Sequence, residues 1–518
     1  MSVLPWLTVT TVIWLQAIGG TNTDFSAYSS PLKSRLGITQ VKLNNLAFAS
    51  DAGKLFGWCA GLTASRLPLC AVLAIGVTLS AIGYGLQFLF MSRIISSFSY
   101  TQFFFLNMLN GNSICWLNTV AYITIMRQFL PADHGTVIAL TTSYTGLTAK
   151  IYLALAEVIV GKNNAASSGG DGKIYVLLNA VTPVVIALLT MPTIWAMREK
   201  PRDVKAGLVM MFGIAGVTGA YAVIQTTVPT LHSSSGIMPE MVLVVMVAAV
   251  ILVPVVKVGE WAVRRRKLEG SLKVGVGEVG DVEGGKEEEK EEEEEAVVVV
   301  GTEGNVKGVV ELVKKVNFWL YFMVYLCGAT LGLVYGNNLG QISQSRGVSE
   351  IVLLSIYSSF GFFGRLATAP LSIFSRSRYK ISKIGTIAVL MIFMSISFFL
   401  LISSRKSPLL VSTAIIGSCS GAITSIAVSV SSELFGQENF GVNHNIVISN
   451  IPVGSFLFGS IAALIYDKGE NVGSGRDRIC IGSDCYQKTF IIWGCICSFG
   501  TILSFVLFSR TRKSFRKS

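Results

Sequence analysis

Residues 110–136, NGNSICWLNTVAYITIMRQFLPADHGT, resemble residues 416–442, IGSCSGAITSIAVSVSSELFGQENFGV, although the two stretches lie in different halves of the chain. Each is an apolar segment rich in small residues that ends in a short polar turn, with an aromatic residue or leucine before the turn and glycine after it. Two looser pairs recur in the same order: residues 17–32 with 330–345, and residues 49–61 with 357–369. Recurrence in the same order indicates an internal repeat, and a repeat of two halves decides the fold.

The composition places both halves in a membrane. Hydrophobic residues make up 51% of the 518 residues and charged residues only 14%, whereas about 25% of the residues of a soluble domain are charged. The formal net charge is +12, and in a membrane protein this excess of Lys and Arg is typical of cytoplasmic flanks rather than of a nucleic-acid interface. A soluble enzyme and a DNA-binding protein are therefore excluded.

Fourteen stretches are long and apolar enough to form a helix that crosses a bilayer, which needs about 20 residues. They are residues 4–28, 41–62, 68–92, 101–126, 135–160, 174–197, 205–228, 240–262, 317–339, 348–372, 382–403, 408–432, 442–466 and 488–509. The repeat pairs the first six with the last six and leaves the seventh and eighth as an insertion. The sequence therefore predicts an all-α membrane protein of about 14 transmembrane helices, with two repeated six-helix halves plus two inserted helices.

The predicted domains follow from this division. They are an N-terminal half (1–200), two inserted helices (201–262), a linker (263–315), a C-terminal half (316–509) and a basic tail (510–518). Within the linker, GGKEEEKEEEEE at residues 284–295 would repel itself if packed, so we expect a disordered acidic segment in the cytoplasm. A calcium-binding or partner-binding role for these acidic residues is the alternative, although no pattern supports it.

Clusters of basic residues set the expected orientation, because loops rich in Lys and Arg stay in the cytoplasm. RRRK at 264–267, RSRYK at 376–380 and RTRKSFRK at 510–517 all fall on one side if the fourteen helices alternate in direction. Both termini are therefore predicted to be cytoplasmic, in the plasma membrane or an internal membrane. The loop with Cys480 and Cys485 then lies outside, where an oxidising compartment would join them in a disulfide; two free thiols are the alternative.

Two repeated six-helix halves joined by a cytoplasmic linker form the layout of major facilitator transporters, whose substrate site lies near the membrane midplane between the halves. WLQAIGGTNTDFSAYSSPLKSRLGITQVKLNNLAFASDAGKLFGWCAGL (14–62) and AIGVTLSAIGYGLQFL (74–89) resemble the nodulin-like domain of plant nuclear-fusion-defective-4-like proteins, and residues 135–152, 444–458 and 479–492 agree. The resemblance implies a multi-pass membrane protein of transporter fold, related at a distance to monocarboxylate and oxalate–formate carriers. The family name implies a link with nuclear fusion, or karyogamy, in plant reproduction.

One loop departs from the pattern that this resemblance implies. Typical major facilitators carry acidic and basic residues of a gating motif between the second and third spans. Residues 61–68, GLTASRLP, retain Arg66 but contain no acidic residue. The usual gate is therefore not carried over to this chain.

The candidate site residues are the charged and amide side chains inside the predicted spans, because a charge at mid-bilayer costs at least about 2.5–3.5 kcal/mol. They are Asn22, Asp24, Asp51, Lys54, Lys150, Glu157, Asn337, Asn338, Arg365, Asn443 and His444. Asp51 and Lys54 stand three residues apart, so we expect them to pair on one helix face. Lys150 and Glu157 also share a helix face but are too far apart to touch.

The cations in this set favour an anionic substrate such as a carboxylate: Lys54, Lys150 and Arg365. The acids are candidates for proton coupling, because a desolvated carboxyl group titrates nearer neutral pH: Asp24, Asp51 and Glu157.

Most candidates also have a purely structural interpretation. Asp51 and Lys54 can form an intrahelical pair that only stabilises the helix. Lys150 can extend its side chain to the membrane interface, and the asparagines can join neighbouring helices by hydrogen bonds. For His444 the structural interpretation is a packed residue rather than a proton relay.

The predicted function is transport of a small solute by alternating access. The expected partners are the lipid bilayer, the solute and protons, with no nucleic acid. No cofactor or metal is expected, because the sequence has no CxxC pair, HExxH motif or Cys/His cluster. The alternative is a transporter-like membrane receptor or scaffold, whereas a membrane enzyme is disfavoured because no nucleophile–base arrangement stands out.

Overall fold

The computed structural model describes the chain except for residues 1–2, 24, 162–171, 197–204, 228–237, 261–262, 264–265, 267–307, 380–381, 469–479 and 516–518. All regular secondary structure in the described part is helical. A helix satisfies its backbone polar groups internally, as the interior of a bilayer requires. The prediction of an all-α chain is therefore confirmed for the described residues.

The helices before the linker alternate with short turns. They are α1 (Leu4–Gly19), α2 (Phe25–Leu36), α3 (Gln40–Gly53), α4 (Gly57–Ala64), α5 (Leu69–Met91), α6 (Tyr100–Gln128), α7 (Pro131–Ser143), α8 (Thr148–Val160), α9 (Lys173–Trp195), α10 (Lys205–Thr227) and α11 (Met238–Glu260). Turns of 3-10 helix at Lys54–Phe56 and Tyr144–Leu147 join α3 to α4 and α7 to α8. A third one, Ala249–Ile251, lies within α11.

Short turns also separate most of the helices after the linker. They are α12 (Val309–Lys314), α13 (Val316–Tyr325), α14 (Leu331–Asn337), α15 (Leu339–Arg346), α16 (Glu350–Leu366), α17 (Thr368–Tyr379), α18 (Lys383–Leu400), α19 (Lys406–Phe435), α20 (Phe440–Ile448), α21 (Asn450–Lys468) and α22 (Asp484–Phe515). A π-helical turn, Leu326–Thr330, connects α13 to α14.

All fourteen predicted stretches overlap with helices of the structure. Among the described residues, ten helices are long and apolar enough to cross a membrane, and two shorter apolar helices, Leu4–Gly19 and Val352–Leu366, accompany them. The chain is thus a bundle of apolar helices, while the count of fourteen crossings and the six-plus-six arrangement remain predictions.

The first predicted span, residues 4–28, is wrong as a continuous helix. α1 ends at Gly19, and the Gly20 carbonyl accepts hydrogen bonds from the backbone N–H of Thr23 at 2.9 Å and from its hydroxyl at 2.6 Å. A Cβ atom at position 20 would lie 2.8 Å from Oγ1 of Thr148, so glycine allows the chain to turn against α8. Asn22 consequently lies in a turn, and Asn337 and Asn338 lie at a similar break between α14 and α15.

The predicted linker, residues 263–315, is wrong at its C-terminal end. Residues 309–314, VVELVK, form α12, and Leu312 of this helix is fully buried in the core of the C-terminal half. Burial of one leucine side chain contributes about 1.5–3 kcal/mol, which helps to hold this turn of helix on the bundle. The acidic run at 284–295 lies outside the described residues.

One apolar cluster joins both halves and the inserted helices. It includes Val9 of α1, Met211 of α10, Leu243 of α11 and Phe362 of α16, each at most 1% exposed. The inserted helices therefore pack against both halves of the molecule.

The two ends of the bundle can be told apart by their loops. Cys480 and Cys485 form a disulfide, and the N–H of Gly482 donates to the carbonyl oxygen of Ser345 at 2.9 Å, which places this loop at the end of α15. We call this the disulfide end. The opposite end, called the linker end, holds the turn after α4 (residues 65–68) and the turn before α20 (residues 436–439).

Candidate functional site

A cavity of about 1170 Å³ lies between the two halves of the bundle. Lys33 and Gly37 of the N-terminal half and Gln344 and Glu350 of the C-terminal half line it near the disulfide end. His444 is among the residues that line it towards the linker end. The cavity therefore extends from the middle of the bundle to the disulfide end, between elements of both halves.

On the side of the cavity that faces the linker end, close contacts between the two halves close the bundle. The Nδ2 group of Asn445 in α20 donates to Oγ1 of Thr119 in α6 at 2.8 Å. The hydroxyl of Thr142 in α7 donates to Oγ of Ser425 in α19 at 3.1 Å. α4 and α20 also pack directly against each other. The structure is thus closed at the linker end.

The tightest of these contacts joins two glycines. A Cβ atom on Gly61 would lie 2.3 Å from the carbonyl carbon of Gly441 and 2.5 Å from the backbone nitrogen of Val442. Backbone atoms cannot yield as a flexible side chain can, so α4 and α20 need glycine to approach this closely.

We expect Gly61→Ala to separate α4 from α20 and open the linker end. Spin labels on unnatural amino acids at the exposed positions Ser65 and Gln437 would report a longer distance, while the native cysteines stay in place. Gly85→Ala is the matched control, because a Cβ atom there meets nothing within 4 Å. An unchanged distance in folded Gly61→Ala protein would contradict the prediction.

Asp51 connects the two halves at the wall of the cavity. Its Oδ1 atom accepts a hydrogen bond from the Lys54 ammonium at 2.6 Å, which confirms the predicted pairing. Its Oδ2 atom accepts from Oγ of Ser455 in α21 at 2.6 Å and, at 3.5 Å, from Nδ2 of Asn337 at the end of α14. The side chains of Asp51 and Lys54 are only 2% and 8% exposed. The carboxylate is therefore held by groups from both halves.

Arg365, near the end of α16, also lines the cavity. Its Nη1 group donates to the carbonyl oxygen of Gly361 at 3.1 Å, and Tyr122, Tyr325 and Tyr357 interact with it electrostatically. Among the described residues, no carboxylate lies within ion-pair distance of this guanidinium. Arg365 is thus a partly buried cation that faces the cavity among aromatic hydroxyls.

His444 belongs to an aromatic group in the cavity wall. Its ring stacks on Phe440 with centroids 5.1 Å apart and meets the edge of Tyr122 at 5.6 Å. Its Nδ1 atom lies 3.1 Å from Oγ of Ser431. These contacts support the packing interpretation of His444, since ring stacking and a hydroxyl partner fix the imidazole.

The family models and known proteins that match the chain agree with this architecture. Residues 5–258 match a family model described as nodulin-like, and residues 301–517 match one described as NFD4, C-terminal domain. The chain is 36% identical to the Arabidopsis thaliana protein NUCLEAR FUSION DEFECTIVE 4, over 99% of this chain and 90% of that protein. The chain belongs to the nodulin-like, nuclear-fusion-defective-4-like family. This confirms the family expected from the sequence.

Solved structures place this nodulin-like protein in the major facilitator fold. The fucose:proton symporter of E. coli aligns over 96% of this chain and 98% of its own, with a TM-score of 0.53 and 11% identity. The xylose transporter of E. coli, in a partially occluded inward-open conformation, aligns over 97% and 98%, with a TM-score of 0.54 and 11% identity. At such identity the likeness shows the fold alone, and it confirms the expected fold of a multi-pass membrane protein.

The nodulin-like protein brings together some of the candidate residues and not others. Those that line the cavity are Asn22, Asp51, Lys54, Asn337, Arg365 and His444. Those outside the described lining are Lys150, Glu157, Asn338 and Asn443, and Asp24 lies outside the described residues.

Two of the asparagines outside the lining bind backbone instead. The Nδ2 group of Asn443 donates to the carbonyl oxygen of Phe435 at 3.2 Å, across the turn between α19 and α20. The Nδ2 group of Asn338 donates to that of Val334 at 2.8 Å, at the break after α14. Both side chains therefore bind backbone close to them in the chain, at breaks between helices, and Asn338 does not join neighbouring helices through this bond.

Sequence reasoning missed several residues of the cavity wall in this family member. Asn445 and three tyrosines, Tyr122, Tyr325 and Tyr357, line the cavity. Asn445 is an amide inside the predicted span 442–466, so the criterion used for the other candidates could have found it, whereas a tyrosine in an apolar segment carries no charge that would single it out. The π-helical turn Leu326–Thr330, which directly follows Tyr325, was not predicted either. π-Helical turns in α-helices are frequent at functional sites, but this one has no pattern in the sequence that would predict it.

Proposed function

We propose that the protein is an alternating-access carrier that moves a small organic anion, such as a carboxylate, through the central cavity. The observation that carries this proposal is Arg365, which faces the cavity with no carboxylate of the described residues within ion-pair distance. A charge that is removed from water costs free energy, and pairing with an anion offsets part of that cost. A bound anion would satisfy the guanidinium donors that the Gly361 carbonyl leaves free.

The buried cation of the cavity wall, Lys54, supports the same assignment. Lys54 is neutralised by Asp51 at 2.6 Å, so this pair adds no net charge to the wall. Among the described residues of the cavity wall in the middle of the bundle, the positive charge available to a solute is therefore that of Arg365.

We place proton coupling at Asp51. Its carboxylate accepts hydrogen bonds from Lys54 of its own half and from Ser455 of the other half. Protonation would remove the charge that holds these donors and would loosen the contact between α3 and α21. Asp24 and Glu157 stay sequence-based candidates, although Glu157 lies outside the described lining of the cavity.

The orientation and the cellular role are proposals of the same kind. We place both termini in the cytoplasm, so that the cavity extends to the non-cytoplasmic side, in the plasma membrane or an internal membrane. The name of the Arabidopsis relative refers to nuclear fusion, and a role of this chain in karyogamy rests on that name.

The test is uptake of labelled solutes into vesicles that contain the purified protein. The panel comprises carboxylates, amino acids, sugars and inorganic anions, each with and without an inward proton gradient. We expect saturable uptake of a carboxylate that the gradient increases. No uptake of any solute by correctly folded protein would contradict transport and favour a receptor or scaffold.

A further inference from the structure

The inserted helices α10 and α11 lie across the seam between the two halves. α10 packs on α16 of the C-terminal half, where a Cβ atom on Gly219 would lie 2.3 Å from the ring of Phe362. α11 packs on α8 of the N-terminal half. This helix pair therefore contacts helices on both sides of the seam.

Lys150 lies where these elements meet. The residue belongs to α8, and its ammonium donates to the carbonyl oxygen of Ala222 in α10 at 2.5 Å and to Oγ of Ser359 in α16 at 3.0 Å. It also interacts electrostatically with Glu240 of α11. One side chain of the N-terminal half is thus hydrogen-bonded to the C-terminal half and to inserted helix α10, and the charge of Glu240 in α11 acts on it.

The inserted pair is itself joined at the same level. The amide of Gln225 in α10 donates to Oε2 of Glu240 in α11 at 2.5 Å, and the hydroxyl of Tyr221 donates to the carbonyl oxygen of Pro239 at 2.9 Å. Glu240 is 8% exposed. The carboxylate whose charge acts on Lys150 is therefore held in place by the neighbouring inserted helix.

Solute binding does not account for this cluster. Lys150, Glu240 and Ser359 are absent from the described lining of the cavity. Extension of Lys150 to the membrane interface does not account for it either, because the ammonium binds Ser359, a buried residue in the middle of α16. A charged group at this depth needs partners from the protein, and Lys150 draws hydrogen-bond partners from both α10 and α16.

We propose that the inserted helices form a strap across the seam and that Lys150 pins this strap in the conformation closed at the linker end. Alternating access moves α8 relative to α16, and a hydrogen bond of 3.0 Å does not survive a relative displacement of several ångströms. The Lys150–Ser359 contact therefore belongs to one of the two conformations and stabilises it against the other. The role in transport rests on the proposed function, whereas the conformational effect does not.

The experiment measures the conformation directly, with the spin labels at Ser65 and Gln437. Lys150→Met removes the charge at similar length, and Ser359→Ala removes only the partner in the C-terminal half. We expect each variant to raise the ratio of long-distance to short-distance populations at least tenfold over the unsubstituted protein. Lys257→Met is the matched control, because Lys257 is a lysine of the inserted helix α11 that pairs within its own helix, with Glu260 at 3.0 Å.

The outcomes separate the strap from transport. A wild-type distance distribution in folded Ser359→Ala and Lys150→Met protein overturns the strap, as does an equal shift in Lys257→Met. If Lys150→Met does not fold, Ser359→Ala alone decides. Shifted distance distributions in a protein that takes up no solute would support the strap and contradict transport. Normal uptake with unshifted distance distributions would support transport and contradict the strap.

Discussion

Arg365→Ala is expected to lower the uptake of the anionic solute about 30-fold to about 4000-fold. Removing one partner of a buried, hydrogen-bonded charge pair costs about 2–5 kcal/mol, and every 1.4 kcal/mol corresponds to about tenfold in binding. The proposed pair consists of the Arg365 guanidinium and the solute, since the described residues offer that guanidinium no carboxylate within ion-pair distance. The measurement is the concentration dependence of uptake into vesicles.

Stability distinguishes this binding role from a structural one. A charge inside the membrane costs free energy when the solute is absent, so Arg365→Ala protein should unfold at the same or a higher temperature than the unsubstituted protein. Arg365→Lys keeps the charge but loses the planar guanidinium that binds a carboxylate through two hydrogen bonds, and we expect intermediate uptake. If Arg365→Ala protein is strongly destabilised, or takes up solute normally, Arg365 does not bind the solute.

Asp51→Asn is expected to lower the free energy of unfolding by about 3–5 kcal/mol, because it leaves the Lys54 ammonium buried without its counter-charge. The double variant Asp51→Asn/Lys54→Met removes both charges and should recover most of this loss. The two single variants and the double variant form a thermodynamic cycle, which gives the coupling energy of the pair. Reversible unfolding in detergent measures all four proteins.

The chain provides a matched control for this cycle. Lys383 and Glu433 form an ion pair at 2.5 Å, but their side chains are 26% and 51% exposed. Water screens such a pair, so Glu433→Gln should cost no more than about 1 kcal/mol. Equal losses in Asp51→Asn and Glu433→Gln would show that burial of the Asp51–Lys54 pair carries no special cost.

These two tests address different consequences of burial. Lys54 has a carboxylate partner within its own helical segment, so breaking this pair changes the free energy of unfolding. Arg365 has a backbone carbonyl and nearby tyrosines in the described structure, so we expect its replacement to lower the affinity for the solute. The structural and the functional interpretation of a buried charge can therefore be separated by measuring both quantities for both residues.

The sequence by itself determined the class of the protein and its local pairs. Apolar stretches of the length of a bilayer predict helices because a chain in lipid must satisfy its own backbone, and every predicted stretch overlaps with a helix. Asp51 and Lys54 were predicted to pair because residues three apart are neighbours on any helix. Such predictions depend only on helix geometry and on residues close in the chain.

Local conformation could not be predicted in this way where it depends on contact with a distant part of the chain. α1 ends at Gly19 because the turn at Gly20 lies against Thr148, and Val309–Lys314 is helical because Leu312 enters the core of the C-terminal half. In both cases the stabilising contact comes from residues that are far away in the sequence.

Only the tertiary structure decided which polar residues share the cavity. Asn443 binds the carbonyl of Phe435, whereas Asn445, two residues further along α20, lines the cavity and binds Thr119 of the other half. Helical periodicity gives the angle between two side chains on one helix, but not which neighbour lies opposite each of them. That neighbour is set by the packing of helices that are far apart in the sequence. The same packing places Lys150 against α10 and α16 and not in the cavity wall.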